Sequence, residues 1–214
     1  MNGLAEVKKE INKITRLLEQ MFETTQEGFM GNRLEPLKEV LRKEESVNEL
    51  ERELVGLIAQ VSKGDLSEAD YKELRPLMEV VGDLERIGDL CEDIVERVEI
   101  KIWEKLYFSD KAVEEYGELY SKVRLVLEQV FKGLNEADEG FARKGIEIAK
   151  QIPRLVERFK RSHTERLIKG ICTPRAANFF VDMLEFMGQI SNHAVGAAKK
   201  TKFLKGSDPF GRER

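Results

Sequence analysis

Between Val80 and Val98 apolar side chains return every three or four residues, at Val80, Leu84, Ile87, Cys91, Ile94 and Val98. That spacing belongs to an α-helix with one buried face; a strand would alternate every two residues. A seam of this length needs other long helices to cover it. The rest of the chain supplies them. Apolar periodicity predicts helices over 4–28, 34–62, a third reaching about 106, a fourth opened by Ser109-Asp110 and ending near 135, a fifth over 139–169, and a sixth to about 200. Ser67 with Asp70 suits a capping box, and Thr173 before Pro174 is a cap followed by a favoured first-turn residue. Pro76 and Pro153 fall inside the third and fifth helices, where a residue without an N–H predicts a kink or a break. No alternating run survives, so the expected class is all-α.

Charge and cysteine content narrow the function. The 36 basic and 40 acidic residues are interspersed and give a net charge of −4. Nucleic acid would call for a basic stripe, so it is not an expected partner. No uncharged run approaches the ~20 residues of a membrane span. The first residues lack the apolar core of a signal peptide, and the expected location is the cytoplasm. Cys91 and Cys172 form no CxxC pair, which argues against zinc-ribbon and redox motifs. There is no Gly-x-Ser-x-Gly, no glycine loop for phosphate, and no Glu-x-x-His pair of a di-iron bundle. With two histidines in the chain, enzyme activity is not expected.

Shifting the chain by 100 residues lays the sixth helix on the third. Val81, Leu84, Glu85, Gly88 and Val95 meet Val181, Leu184, Glu185, Gly188 and Val195. Five identities in fifteen positions exceed the roughly one expected from average usage. The chain therefore reads as two tandem three-helix bundles about a pseudo-twofold axis, 1–108 and 109–200, with a loose tail over 201–214.

Beside the seam of the third helix runs a stripe that is apolar at its ends and acidic in the middle: Met78, Val81, Glu85, Asp89, Glu92, Val95. The second helix has its own interrupted stripe, Leu37, Leu41, Glu44, Asn48, Glu51, Val55 and Ile58. Two antiparallel helices can bring Glu44, Asn48, Glu85 and Asp89 together, with Glu51 and Glu92 nearby. Oxygen donors alone favour a hard ion such as Mg, Mn, Ca or Fe(III). The same acids also suit ion pairing with Lys43, Arg52 or Arg86. In the second copy Glu185 remains, Asp89 becomes Gln189, and the positions matching Glu44 and Asn48 are Ala149 and Pro153. His193 could join Glu185 or Asn192 on a metal, and His163 stands among Arg161, Glu165 and Arg166.

Asp83-Leu84-Glu85-Arg86-Ile87-Gly88-Asp89 resembles the signature of the PhoU family of phosphate-uptake regulators. Ser162-His163-Thr164-Glu165-Arg166-Leu167, followed by Gly170, Cys172 and Pro174, is similar to the second repeat of PhoU-like domains, some of which are appended to sodium/phosphate cotransporters. The resemblance spans about residues 4–200 and implies the same two-times-three-helix arrangement. It implies multinuclear iron or zinc at acidic Glu/Asp-x-x-x-Asp motifs, which here correspond to Glu44 with Asn48 and Glu85 with Asp89. Only Glu185 survives in the second copy. The implied role is a cytoplasmic, non-catalytic adaptor that restrains phosphate uptake between a phosphate ABC transporter and a sensor histidine kinase. A homodimer with access to the membrane periphery accompanies that reading. A metal-binding or metal-storage bundle unconnected with phosphate is the alternative.

Overall fold

The computed structural model describes residues 3–62 and 68–204. Among them are seven α-helices and no strand: α1 Gly3–Gly31, α2 Leu34–Ser62, α3 Glu68–Trp103, α4 Asp110–Glu136, α5 Glu139–Ala149, α6 Ile152–Ile168 and α7 Pro174–Ala198, followed by the 3₁₀ turn Thr201–Leu204. The turn at 63–67, and with it the Ser67 cap, lies outside the described residues.

The other helix boundaries follow from local chemistry. α1 continues through Gly28, and the chain reverses at Asn32, whose φ of 48° is left-handed; asparagine is among the few residues that tolerate it. Ser109 Oγ accepts from Ala112 N at 3.3 Å to start α4, and Thr173 Oγ1 accepts from Ala176 N at 3.2 Å to start α7. The two interior prolines behave differently. α3 stays helical through Pro76, held by the buried Leu77, Val80 and Val81 that follow. At Pro153 the expected break is found: the predicted fifth helix divides into α5 and α6, with Pro153 in the first turn of α6. Of the tail expected over 201–214, Thr201 and Leu204 are buried, and residues 205–214 lie outside the described residues.

α1, α2 and α3 pack together, as do α4, the α5–α6 pair and α7. Between the two groups α3 lies on α7 and α1 on α4, so the elements matched by the repeat meet each other. Both pairs are antiparallel. Arg97 reaches Asp182 at 2.9 Å while Asp83 reaches Lys200 at 2.8 Å. Phe22 stacks on Tyr120 with ring centres 4.8 Å apart, and Thr15 donates to Asn135 Oδ1 at 3.1 Å. A twofold axis perpendicular to the helices produces this arrangement. The seam predicted on α3 is fully buried, and so are its counterparts Leu184, Met187 and Ile190 on α7.

Candidate functional site

The acidic stripes of α2 and α3 do face each other. Asn48 Nδ2 donates to Glu44 Oε1 on α2, and Glu44 is almost fully buried. Its carboxyl is held above its ordinary pKa, first by desolvation and then by the negative charge of Glu92, with Asp89 adding to it. Two helical turns away, Glu85 is raised by desolvation and by Asp89, with Glu51 of α2 contributing and Arg86 opposing. Glu92 is raised as well, by desolvation and Asp89. The antiparallel register therefore sets Glu44 against Glu92 and Glu51 against Glu85, with Asp89 between.

The basic residues that could have neutralised this face mostly look elsewhere. Lys43 binds Glu39, and Arg52 Nε donates to the Asn48 carbonyl oxygen at 3.1 Å. Among the described residues Arg86 alone engages the acids, donating to Asp89 Oδ2 at 2.8 Å and lying 3.7 Å from Glu85 Oε2, and it is largely exposed. By donor chemistry the set fits a hard cation: oxygen ligands from two helices whose charges repel and are only partly compensated. By placement it is more open. Among the described residues, no three of the His, Cys, Asp and Glu side chains are gathered closely enough to hold an ion.

The second copy is put to other uses. Glu185 pairs with Lys160 at 2.9 Å. His193 does not turn toward Glu185; its Nδ1 lies 3.1 Å from Asp83 Oδ1. Asp83 also takes Lys200, so this cluster ties the two repeats together. Gly196 makes room for it, since a Cβ there would come within 2.6 Å of Asp83 Oδ2.

A buried polar network beneath the second repeat was only partly visible in the sequence. Glu115 accepts from Ser162 Oγ and from Arg166 Nη2, each at 2.6 Å, and Arg166 Nη1 donates to Ser162 Oγ at 2.8 Å. The sequence drew attention to His163 and Arg166 but missed Glu115. The available signal was an acid interrupting the apolar stripe Ala112, Tyr116, Leu119, Val123 of α4. Arg166 Nη2 also stands 3.1 Å from His163 Nδ1. A guanidinium only donates, so Nδ1 is the acceptor and Nε2 carries the proton. That N–H points to Cys172 Sγ at 3.7 Å. The imidazole is thus a donor toward the thiol, with no free lone pair to act on it as a base.

Burial, followed by Arg166, lowers the His163 pKa to about 4 from 6.5. The unfolded chain therefore holds more protons than the folded one between these values, and His163 makes stability fall as pH drops through that window. Replacing His163 with Asn, which keeps an acceptor, should flatten the loss of stability from pH ~7 to ~5.5, a range above most carboxylate titration. Urea unfolding at the two pH values checks this, and an unchanged slope would place its source elsewhere.

A duplicated three-helix unit, closed about a pseudo-twofold axis and acidic in one copy only, defines the class of the protein. Residues 11–98 match the model of the PhoU domain. The chain is 24% identical over 216 residues to the phosphate-specific transport system accessory protein PhoU homolog of Synechocystis sp., covering 94% of this chain and 89% of that one. It is 22% identical over 206 residues to PhoU homolog 1 of Thermotoga maritima, with 93% and 85% covered. In fold it is similar to PhoU from Pseudomonas aeruginosa, with a TM-score of 0.85 over 95% of this chain and 97% of that one, at 18% identity. Over residues 11–98 the chain thus matches the PhoU domain, and over most of its length it is similar to PhoU homologues in sequence and to PhoU in fold.

Proposed function

We propose that this chain is an accessory regulator of phosphate uptake, acting in the cytoplasm as a non-catalytic adaptor. The observation that carries the reading is the end-to-end correspondence with relatives named as phosphate-specific transport system accessory proteins, which covers most of both chains. Its partners on this reading are a phosphate ABC transporter and a sensor histidine kinase, and its working form is a homodimer. Among the described residues no helix is long and apolar enough to cross a membrane, which suits a protein that reaches a transporter from outside the bilayer. Deleting the gene and measuring phosphate uptake and phosphate-responsive transcription tests this; uptake that stays under normal control would remove the proposal.

The repelling carboxylates support a metal as part of the same reading. Glu44, Glu85 and Asp89 would have to draw closer than the structure places them to hold it; Asn48 would offer a neutral oxygen, and Glu51 or Glu92 would lie in the surrounding shell. Iron or zinc follows from the family resemblance, and Mg, Mn or Ca from donor type. When bound, the ion supplies positive charge that relieves the repulsion between α2 and α3. The expected result is that Glu85→Gln with Asp89→Asn abolishes stoichiometric metal, while Glu185→Ala leaves it nearly unchanged. Equal losses from both variants would assign the metal elsewhere. Loading that saturates at many ions per chain would favour the storage alternative.

A further inference from the structure

The large apolar side chains left in solvent are not scattered. Seven are exposed among the described residues, and five of them, Met30, Trp103, Tyr107, Ile168 and Ile171, belong to the helix ends and connections at one end of the molecule. Four contacts show that these connections are neighbours. Lys101 of α3 donates to Asn32 after α1. Phe108 lies 6.1 Å from Phe29 and 5.5 Å from Phe180, centre to centre. Arg175 of α7 closes a two-pronged ion pair on Glu104, at 2.6 and 2.9 Å.

Charge at this end is mixed with a small basic excess, because Glu35 and Asp110 are exposed on the same connections. Arg33, Lys105 and Lys169 are exposed, and none has an ion pair among the described residues. Lys101 is buried with its amine over the rings of Phe29 and Phe108. It lines a cavity of about 440 Å³ whose walls include Met30 and Tyr107. The nearby Glu104 is occupied by Arg175. An apolar end with a slight excess of basic over acidic side chains therefore caps a molecule whose net charge is −4.

We propose that this end contacts a membrane, seating its connections in the headgroup layer of an anionic bilayer. Trp and Tyr favour that depth because one part of each ring system is apolar and the other polar. Isoleucine and methionine add buried area just below it, and unpaired Lys and Arg meet anionic headgroups. The apolar groups stand on three separate connections and not along a single groove, which suits a flat and fluid surface better than a partner helix. The arrangement asks only for shallow insertion at a helix end, and it is independent of any particular transporter.

Trp103 is the single tryptophan of the chain and 73% exposed, so it reports on this end alone. The full-length protein is titrated with phosphatidylcholine vesicles and with vesicles containing phosphatidylglycerol. The expected result is a blue-shifted emission, quenched by brominated lipid, with the anionic vesicles only and weakened by salt. Each basic residue removed should weaken partitioning about fivefold, so a variant carrying Arg33→Gln, Lys105→Gln and Lys169→Gln should bind about a hundredfold more weakly. Flotation of Trp103→Ala should also fall, without relying on fluorescence. Protein that floats with anionic vesicles while its emission stays unchanged would overturn the proposal by assigning binding to another face. Protein that does not float at all would overturn it in favour of a protein partner at this end. A triple variant that floats as well as the parent would overturn it too.

Discussion

Replacing Glu115 with alanine should lower stability by about 3–5 kcal/mol, the cost of leaving a buried ion without its counter-charge. The side chains of Glu115 and Arg166 are only 4% and 9% exposed. Both Glu115 oxygens are taken, by Ser162 and by Arg166. Arg166 Nε already lacks a partner, so losing the carboxylate leaves the guanidinium with only Ser162 and the His163 ring. For a chain of this size the loss corresponds to a fall in thermal midpoint on the order of 10 °C. Charge is the cause, and a second variant isolates it. Glu115→Leu combined with Arg166→Met should recover most of the stability, because a well-packed apolar pair often equals or exceeds a buried ion pair. Urea unfolding of the single and double variants decides it; a single variant within ~1 kcal/mol of the parent would mean that Arg166 finds water.

Leu84→Ala and Leu184→Ala should each cost roughly 2–5 kcal/mol, through lost burial and the cavity left behind. The two residues occupy matched positions in the repeats, and both are fully buried. They stand on α3 and α7, which pack against each other, yet they are not opposite. With Arg97 facing Asp182, Leu184 falls near Val95, about eleven residues or ~16 Å along the helix from Leu84. At that separation the two losses should add to within ~0.5 kcal/mol. Unfolding free energies of both single variants and the double variant test this. A double variant no worse than either single one would show that the repeats yield as one unit at this seam.

The helices were legible because their apolar faces are long and regular. The Ser109 and Thr173 caps were found at the predicted places, since capping depends on a few neighbouring residues. The prolines show where local reading stops. Pro76 and Pro153 carry the same chemistry, yet only the second separates two helices. Buried neighbours keep α3 helical through the first, and no periodicity rule weighs that. The same limit applies to side-chain clusters. The interrupted stripes of α2 and α3 predicted acids facing acids, and Glu44, Glu85, Asp89 and Glu92 do so. His193 turned to Asp83 because the antiparallel packing of α3 on α7 decides its neighbours. Glu115 escaped notice because its partners lie 47 and 51 residues away.

The break between α5 and α6 has a consequence for recognition. A body with a twofold axis offers two equivalent ways of being gripped, and a partner that reads only its outline cannot choose between them. Here the axis is approximate. One copy presents the unbroken α2 with its acids turned to α3, and the other presents two shorter helices with Ala149 and Pro153 at the corresponding positions. Any partner that reads this charge meets the molecule one way round only. Duplication gave the protein its shape, and the interruption in a single helix gave that shape a front and a back.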